Sequence, residues 1–279
     1  MKQSPRLALD CALTAAHAAG ALMCRHKSSI KKINEQSRHD IKLELDVRCQ
    51  KLIEKTLLGG FPETAVLGEE GVAGIAGAPL RWVVDPIDGT VNFAYGIPHA
   101  CVSIALQERT GKEYKTMAGV VYDPFVDEMW SAVRGGPARL NGRVIHVSRR
   151  RELAESIVSI GFSKTEESLR ENLPVFTDLV RRVRKIRMMG AAALALTYVA
   201  SGRFDVYIES GISLWDVAAG GLILECAGGE FWHRPLEKEH QFRMIASNGL
   251  LRQKLERVAR SAQQKRSVTE GNEDSEGSR

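Results

Sequence analysis

The sequence predicts an α/β fold in which sheets are covered by helices. Three observations carry that prediction. In the second half of the chain, short apolar runs alternate with helical stretches. In the first half, an amphipathic helix precedes a series of short strand-like runs. Several of those runs and turns end directly in acidic residues.

The elements read in order as follows. Residues Arg6 to Lys27 are rich in Ala, Leu and Met, which favour a helix. A polar segment, Asn34 to Glu44, follows, and Asp40 and Asp46 bracket the start of a second helix. In that helix Leu45, Cys49, Leu52, Ile53 and Leu57 share one face, and Gly59-Gly60-Phe61-Pro62 ends it. Ala65-Val66-Leu67 is a short strand running into Gly68-Glu69-Glu70. Arg81-Trp82-Val83-Val84 is another, running into Asp85-Pro86-Ile87-Asp88-Gly89-Thr90. Cys101 to Leu106 and Met117 to Tyr122 form paired strands, followed by Glu128 to Val133 and a tight turn at Asn141-Gly142. Beyond this lie a strand at Ser156 to Ile160, a helix at Glu166 to Val183 and a helix at Ala191 to Ser201. A strand at Val206 to Ile208, a helix at Trp215 to Cys226 closed by Gly228-Gly229, and a strand at Met244 to Ala246 complete the pattern. Residues 259–279 are polar and are expected to be a disordered tail.

The 279 residues suffice for one large domain or two tightly joined halves. No apolar run is expected to reach the roughly 18–20 residues that span a bilayer. Met1 to Asp10 lacks the layout of a signal peptide, so a cytoplasmic protein is expected. The five cysteines are widely spaced and contain no CxxC pair, which argues against structural zinc. The net charge of +5 is concentrated in Arg149-Arg150-Arg151 and in the run from Arg181 to Arg187. Such runs are ordinarily solvated faces, although they can serve nucleic acid, and a positive field also favours a small anionic substrate.

The acidic strand ends point to a hard cation. Mg²⁺ takes oxygen ligands in octahedral geometry and retains waters. Carboxylates at strand ends have fixed backbones and side chains turned to solvent. Asp85 and Asp88 flank Pro86, which restricts its own φ and the residue before it. Gly89 permits a sharp bend, Thr90 supplies a hydroxyl, and a following helix would offer N–H donors to phosphate. Taken singly, Asp-x-x-Asp reads as a turn, Glu69-Glu70 as a solvated pair and Trp215-Asp216 as a helix start. Their joint appearance is what points to a metal site.

These segments resemble the signatures of the inositol monophosphatase family. Asp85-Pro86-Ile87-Asp88-Gly89-Thr90-Val91-Asn92-Phe93 is similar to its first signature. Trp215-Asp216-Val217-Ala218-Ala219-Gly220 with Glu225-Cys226-Ala227-Gly228-Gly229 is similar to its second, and Gly68-Glu69-Glu70 to its metal-binding glutamate motif. The resemblance runs from about residue 7 to 258 and implies a layered α/β/α/β/α sandwich of the sugar phosphatase type. It implies one phosphatase domain over 1–258, with an N-terminal half to about 147 and a C-terminal half from about 148.

The resemblance also implies roles. Glu69, Asp85 and the Ile87 carbonyl would bind a first Mg²⁺, and Asp85, Asp88 and Asp216 a second, with a third, weaker ion sharing Glu69. Asp46 with Thr90 would orient and deprotonate the attacking water. Asp88, Gly89, Thr90, Ala192 and Glu209 would face the substrate. The implied reaction is direct attack of metal-activated water on the phosphorus of a small phosphorylated alcohol, with no phosphoenzyme. Inhibition by Li⁺ and a homodimer are implied too. The family commonly has threonine where this chain has Leu43, within Asp40-Ile41-Lys42-Leu43-Glu44-Leu45-Asp46. The short stretch between Glu69 and Asp85 implies a trimmed flap. His99 and Cys101 read as packing beside the site.

Inositol monophosphate is the leading substrate, because a carboxylate at Glu209 accepts hydrogen bonds from hydroxyls. Histidinol phosphate, fructose bisphosphate and a 3′-phosphorylated nucleotide are alternatives on the same scaffold. A non-catalytic module that uses its basic segments to bind nucleic acid or protein is the alternative of another class.

Overall fold

A computed structural model describes residues 4–28, 33–36, 41–162 and 166–258. The polar tail at 259–279 lies outside the described residues. Helix α1 spans Pro5–His26, with Ser4 as its N-cap and Pro5 in its first turn. Strands β1 (Ile33–Gln36) and β2 (Ile41–Leu43) pair as an antiparallel hairpin within the segment read as merely polar. Helix α2 follows at Glu44–Gly60.

The next strands build one large sheet. They are β3 (Ala65–Gly68), β4 (Gly71–Gly74) and β5 (Leu80–Asp88), and, after the short helix α3 (Thr90–Ala94), β6 (Cys101–Thr110), β7 (Glu113–Asp123), β8 (Glu128–Val133), β9 (Arg139–Leu140) and β10 (Arg143–Val144). Their order is β10-β9-β8-β7-β6-β5-β3-β4, and only the β3–β5 pairing is parallel. Asn141 and Gly142 both have positive φ, as a two-residue hairpin turn requires. The exposed β4 hairpin and the loop after it fill the stretch from Glu69 to Asp85.

The remainder builds a second sheet. It contains β11 (Ile157–Ile160), helix α4 (Glu166–Val180), β12 (Lys185–Arg187), helix α5 (Ala192–Ala200), β13 (Val206–Ser213), helix α6 (Leu214–Cys226), β14 (Glu230–Pro235) and β15 (Gln241–Ser247). The strand order is β12-β11-β13-β15-β14. Strand β14 had no clear signal in the sequence because its residues are mostly exposed.

Strand alternation explains the layers. Trp82, Val84, Ile104, Val120 and Tyr122 face α1 and α2. Val83, Cys101, Ala105 and Val121 face the opposite way, onto α5 and α6. Tyr207, Met244 and Ala246 of the second sheet cover the far side of those helices. Val158, Ile160, Val206 and Ile208 point outward to Leu179 of α4 and to Leu251, Leu255 and Val258. The result is the expected α/β/α/β/α sandwich.

One expectation is corrected. Helix α1 is long and apolar enough to cross a membrane, with a window of mean hydropathy 1.5. Its hydropathy comes from leucines and alanines together, and Ala8, Ala12, Ala15, Ala16 and Ala19 are at most 2% exposed because they pack against the rest of the fold. It is the core helix of the outer layer.

The middle layer depends on small residues. A side-chain carbon added to Gly119 of β7 would lie 3.0 Å from the Ala219 carbonyl of α6. One added to Gly220 would lie 2.7 Å from Leu196 of α5. Helices α5 and α6 therefore approach too closely for a larger residue. Gly220→Val is expected to lower stability by about 1–3 kcal/mol through overpacking. Urea denaturation checks this, and an unchanged midpoint would show that the interface yields.

Candidate metal centre

The site begins with an irregularity in β5. Asp85 pairs with Ser103 and Asp88 with Cys101, so three steps on β5 match two on β6. In a regular strand, residues three apart point to opposite faces. The bulge turns Asp88 to the face that Asp85 already occupies. The Asp85 carboxylate folds back to accept the N–H of Ile87 at 3.0 Å, which fixes the turn around Pro86.

Helix α6 delivers the third carboxylate. Asp216 stands in its first turn and accepts the N–H of Ser213 at 2.9 Å. The Ser103 hydroxyl donates to the Trp215 carbonyl at 3.0 Å, so the residue paired with Asp85 also anchors the start of α6. Oxygens of Asp85, Asp88 and Asp216 all lie within 4.8 Å of one another. Glu69 follows β3, which runs parallel to β5, and its N–H donates to the Val84 carbonyl at 3.1 Å. This places Glu69 beside Asp85, where its charge acts on that carboxyl.

Asp88 is held by a second helix. Its two oxygens accept the N–H groups of Ala192 at 3.0 Å and Ala193 at 2.7 Å, at the start of α5. The Cys101 thiol donates to it at 3.5 Å. Ala192 thus spends its N–H on Asp88 while also lining the adjacent cavity. Cys101 does more than pack, because it touches one of the clustered carboxylates.

The electrostatics are unfavourable as they stand. Burial, then the charges of Glu69, Asp88 and Asp216, hold the Asp85 carboxyl well above the usual range. Burial and Asp216 push Asp88 up to about 7, despite the two helix N–H groups that oppose the shift. Packing like charges into a low-dielectric site is costly unless a cation joins them. The donors brought together are carboxylate oxygens, which a hard divalent ion prefers.

The other predicted residues stand on neighbouring segments. Gly89 has φ +91°, and a side-chain carbon there would lie 2.9 Å from the His99 carbonyl. Thr90 opens α3, and its hydroxyl donates to the Ile87 carbonyl at 2.8 Å. Asp46 is buried in α2 and accepts the Leu43 N–H at 2.7 Å. Helix α3 packs against β2, which brings the two segments together. Leu43 sits at the N-cap of α2 and makes no side-chain cap. A cavity of about 440 Å³ opens beside the cluster, lined by Asp88, Asp216, Ala192, Glu209, Tyr207 and Gly161 among others. Burial pushes Glu209 up to about 7, and Asp216 and Asp88 add to the shift.

Three contributors escaped the sequence reading. Tyr207 donates its hydroxyl to Glu209. It stands two residues earlier on the same strand, so alternation could have placed both on one face. The Asn92 side-chain amide donates to the carbonyls of His99 at 2.9 Å and Met189 at 2.8 Å, which ties α3 to the segment leading into α5. Gln50 accepts the Glu70 N–H at 2.9 Å and donates to the Gly71 carbonyl at 3.2 Å, fixing the turn that carries Glu69.

Fold and site together define a class: a layered α/β protein with a carboxylate cluster, able to hold a metal, where the sheets and central helices meet. The chain belongs to the inositol monophosphatase family, whose sequence model matches residues 4–267. It is 40% identical over 253 residues to "Nus factor SuhB" of Pseudomonas aeruginosa, across 86% of this chain and 91% of that protein. It is 41% identical over 192 residues to "Inositol-1-monophosphatase" of Rhizobium meliloti, across 67% of this chain and 69% of that protein. Among solved structures, the extragenic suppressor protein suhB from Bartonella henselae superposes with a TM-score of 0.82 at 34% identity, covering 90% of this chain and 97% of that one. The inositol monophosphatase from Anabaena gives 0.78 at 34% identity, covering 91% and 95%.

The raised carboxyl pKa values give a pH test. A carboxyl with a folded-state pKa above its unfolded value is bound more tightly by its proton in the native state. Its contribution to stability is therefore present at low pH and is lost as pH rises from about 4 to about 7. A cation competes with those protons. Saturating Mg²⁺ should raise the Tm of metal-free protein by about 5–10 °C at pH 8, and by much less at pH 5. Equal shifts at both values would show that these carboxylates are not the ligands.

Proposed function

We propose that this chain is a Mg²⁺-dependent phosphomonoesterase acting on a small phosphorylated alcohol, with inositol monophosphate as the leading substrate. The observation that carries the reading is the convergence of Asp85, Asp88 and Asp216 within 4.8 Å at the edge of a cavity that also presents Glu209. The cavity has the size of a small-molecule site.

In this reading Glu69, Asp85, the Ile87 carbonyl, Asp88 and Asp216 hold two or three Mg²⁺ ions. Such ions supply Lewis acidity that neutralises phosphate, eases deprotonation of water and supports the departing alkoxide. The chain's own groups do the positioning. The bend at Gly89 leaves room for the phosphate beside the N–H groups of Gly89 and Thr90. Thr90 holds the attacking water, and Asp46 takes the proton passed on by Thr90. For that transfer the Thr90 hydroxyl turns from the Ile87 carbonyl, its partner in this structure, towards Asp46. Glu209, oriented by Tyr207, accepts hydrogen bonds from substrate hydroxyls. Histidinol phosphate would use the same carboxylate for its ammonium. The chain is one phosphatase domain whose halves correspond to the two sheets, and it functions as a homodimer.

The relatives named "Nus factor SuhB" support a second role beside catalysis, in contact with a protein or nucleic acid of transcription. Arg181, Arg184, Lys185 and Arg187 are exposed along one segment and would supply the charge. RNA affinity that falls steeply with salt would favour it.

Phosphate release from a panel of phosphomonoesters tests the main reading. Activity should vanish with a chelator and return with Mg²⁺. Asp85→Asn should lose nearly all turnover, and full activity in that variant would sink the assignment. Thr90→Val should fall by about 10²–10⁴, the worth of general-base assistance, with Mg²⁺ affinity retained. Rescue of Thr90→Val by excess Mg²⁺ would assign Thr90 to the metal instead of the water.

A further inference from the structure

A second cavity, of about 610 Å³, lies on another flank of α6. Its floor is a single stripe of that helix: Leu214, Val217, Ala218, Gly221, Leu222 and Glu225. None of the clustered carboxylates lines it. The hairpin between β6 and β7 forms one wall, and β14 and β15 form the other.

The wall chemistry is that of an anion site. Arg81, Lys112, Lys115 and Arg134 face two carboxylates, Glu113 and Glu225. Arg134 is paired with Glu225 at 2.9 Å and donates to the Thr116 carbonyl at 2.6 Å. Arg81 differs. It is partly buried, and burial lowers its pKa. Its guanidinium donates to the neutral Gln107 at 2.9 Å and lies 3.7 Å from the centre of the Tyr114 ring. Among the described residues no carboxylate pairs with it. A guanidinium partly withdrawn from water with no counter-charge loses hydration, and a bound anion offsets that loss. Lys112 and Lys115 are exposed on the same hairpin and make no ion pair among the described residues. The opposite wall is aromatic: Phe231 and Phe242 flank His233, with ring centres 5.1 and 5.4 Å from the imidazole and ring planes at 38° and 88° to it. Burial lowers the His233 pKa, so at neutral pH it enters as an uncharged ring.

We infer that this cavity is a second ligand site that takes a small aromatic anion of the phosphate class. The phosphate meets Arg81, Lys112 and Lys115, and the ring packs on Phe231, His233 and Phe242. Guanidinium recognition of phosphate and stacking on aromatic faces are the two interactions the walls offer. The site is independent of catalysis at Asp85, and its test needs no turnover.

The test is equilibrium binding of 1-naphthyl phosphate, followed by its fluorescence, to the full chain in a chelator. Without a cation the carboxylate cluster repels phosphate, so the catalytic cavity does not compete. The expected result is saturable binding at least tenfold tighter than that of 1-naphthol or of inorganic phosphate alone. Lys115→Gln should weaken it about threefold and Arg81→Gln about tenfold, whereas Glu209→Gln should leave it unchanged. Lys115 is exposed, so its substitution reads binding even if Arg81→Gln fails to fold. The inference is overturned if 1-naphthyl phosphate does not bind, if 1-naphthol or phosphate alone binds as tightly, or if Lys115→Gln and the double substitution Lys112→Gln, Lys115→Gln both bind as the wild type does. A loss confined to Glu209→Gln would also overturn it, by placing the ligand in the catalytic cavity.

Discussion

The repulsion among Asp85, Asp88 and Asp216 is the constraint around which the centre of this protein is arranged. Carboxylates within 4.8 Å of one another, two of them buried, oppose folding unless something holds them. The backbone supplies the holding. A bulge fixes Asp88, an Asx-type turn fixes Asp85, and the first turn of α6 fixes Asp216. Two N–H groups at the start of α5 offset part of the charge on Asp88. Local strain of this kind persists only where the surrounding packing over-determines it. Here that packing is a sheet on one side and two helices on the other, and each contributes a hydrogen bond to the cluster.

Helices α5 and α6 explain why the arrangement is rigid. They lie between two sheets, and the buried residues of α6 run without a break from Val217 to Leu224. A helix packed between two sheets needs small residues wherever a neighbour comes close. Ala219 meets β7 at Gly119, Gly220 meets Leu196 of α5, and Gly221 meets the Phe231 ring. The glycines in the middle of α6 are unfavourable for helix formation by about 1 kcal/mol each. The close packing they permit offsets that loss and sets the position of Asp216 relative to β5.

Much of this was legible in the sequence because the chemistry is local. Asp85 to Thr90 is one turn, Glu69 ends one strand, and Asp216 starts one helix, so each has its own signal. The layering followed from alternation, since Trp82 and Val83 serve opposite cores. What escaped was either exposed or non-local. Strands β4 and β14 carry few buried residues, so no period-two pattern marks them. The β1–β2 hairpin is polar in sequence. Gln50, Asn92 and Tyr207 act through partners up to about a hundred residues away or through a side-chain contact that no motif records, as with Asn92 and Met189. The Thr90 hydroxyl donates to the Ile87 carbonyl, a bond within the same turn that the motif does not record.

Leu43, where the family commonly has threonine, exchanges one source of stability for another. A threonine at this N-cap would contribute about 1 kcal/mol by accepting a helix N–H. Leu43 makes no such bond, but it is 1% exposed and belongs to the core formed by α1, α2 and the large sheet. Burial of a leucine side chain contributes about 1.5–3 kcal/mol, which matches or exceeds the lost cap. The orientation of Asp46 survives the exchange, because Asp46 is held by the backbone N–H of residue 43, a group that leucine and threonine share. The substitution therefore alters how the start of α2 is stabilised and leaves in place the backbone bond that aims Asp46.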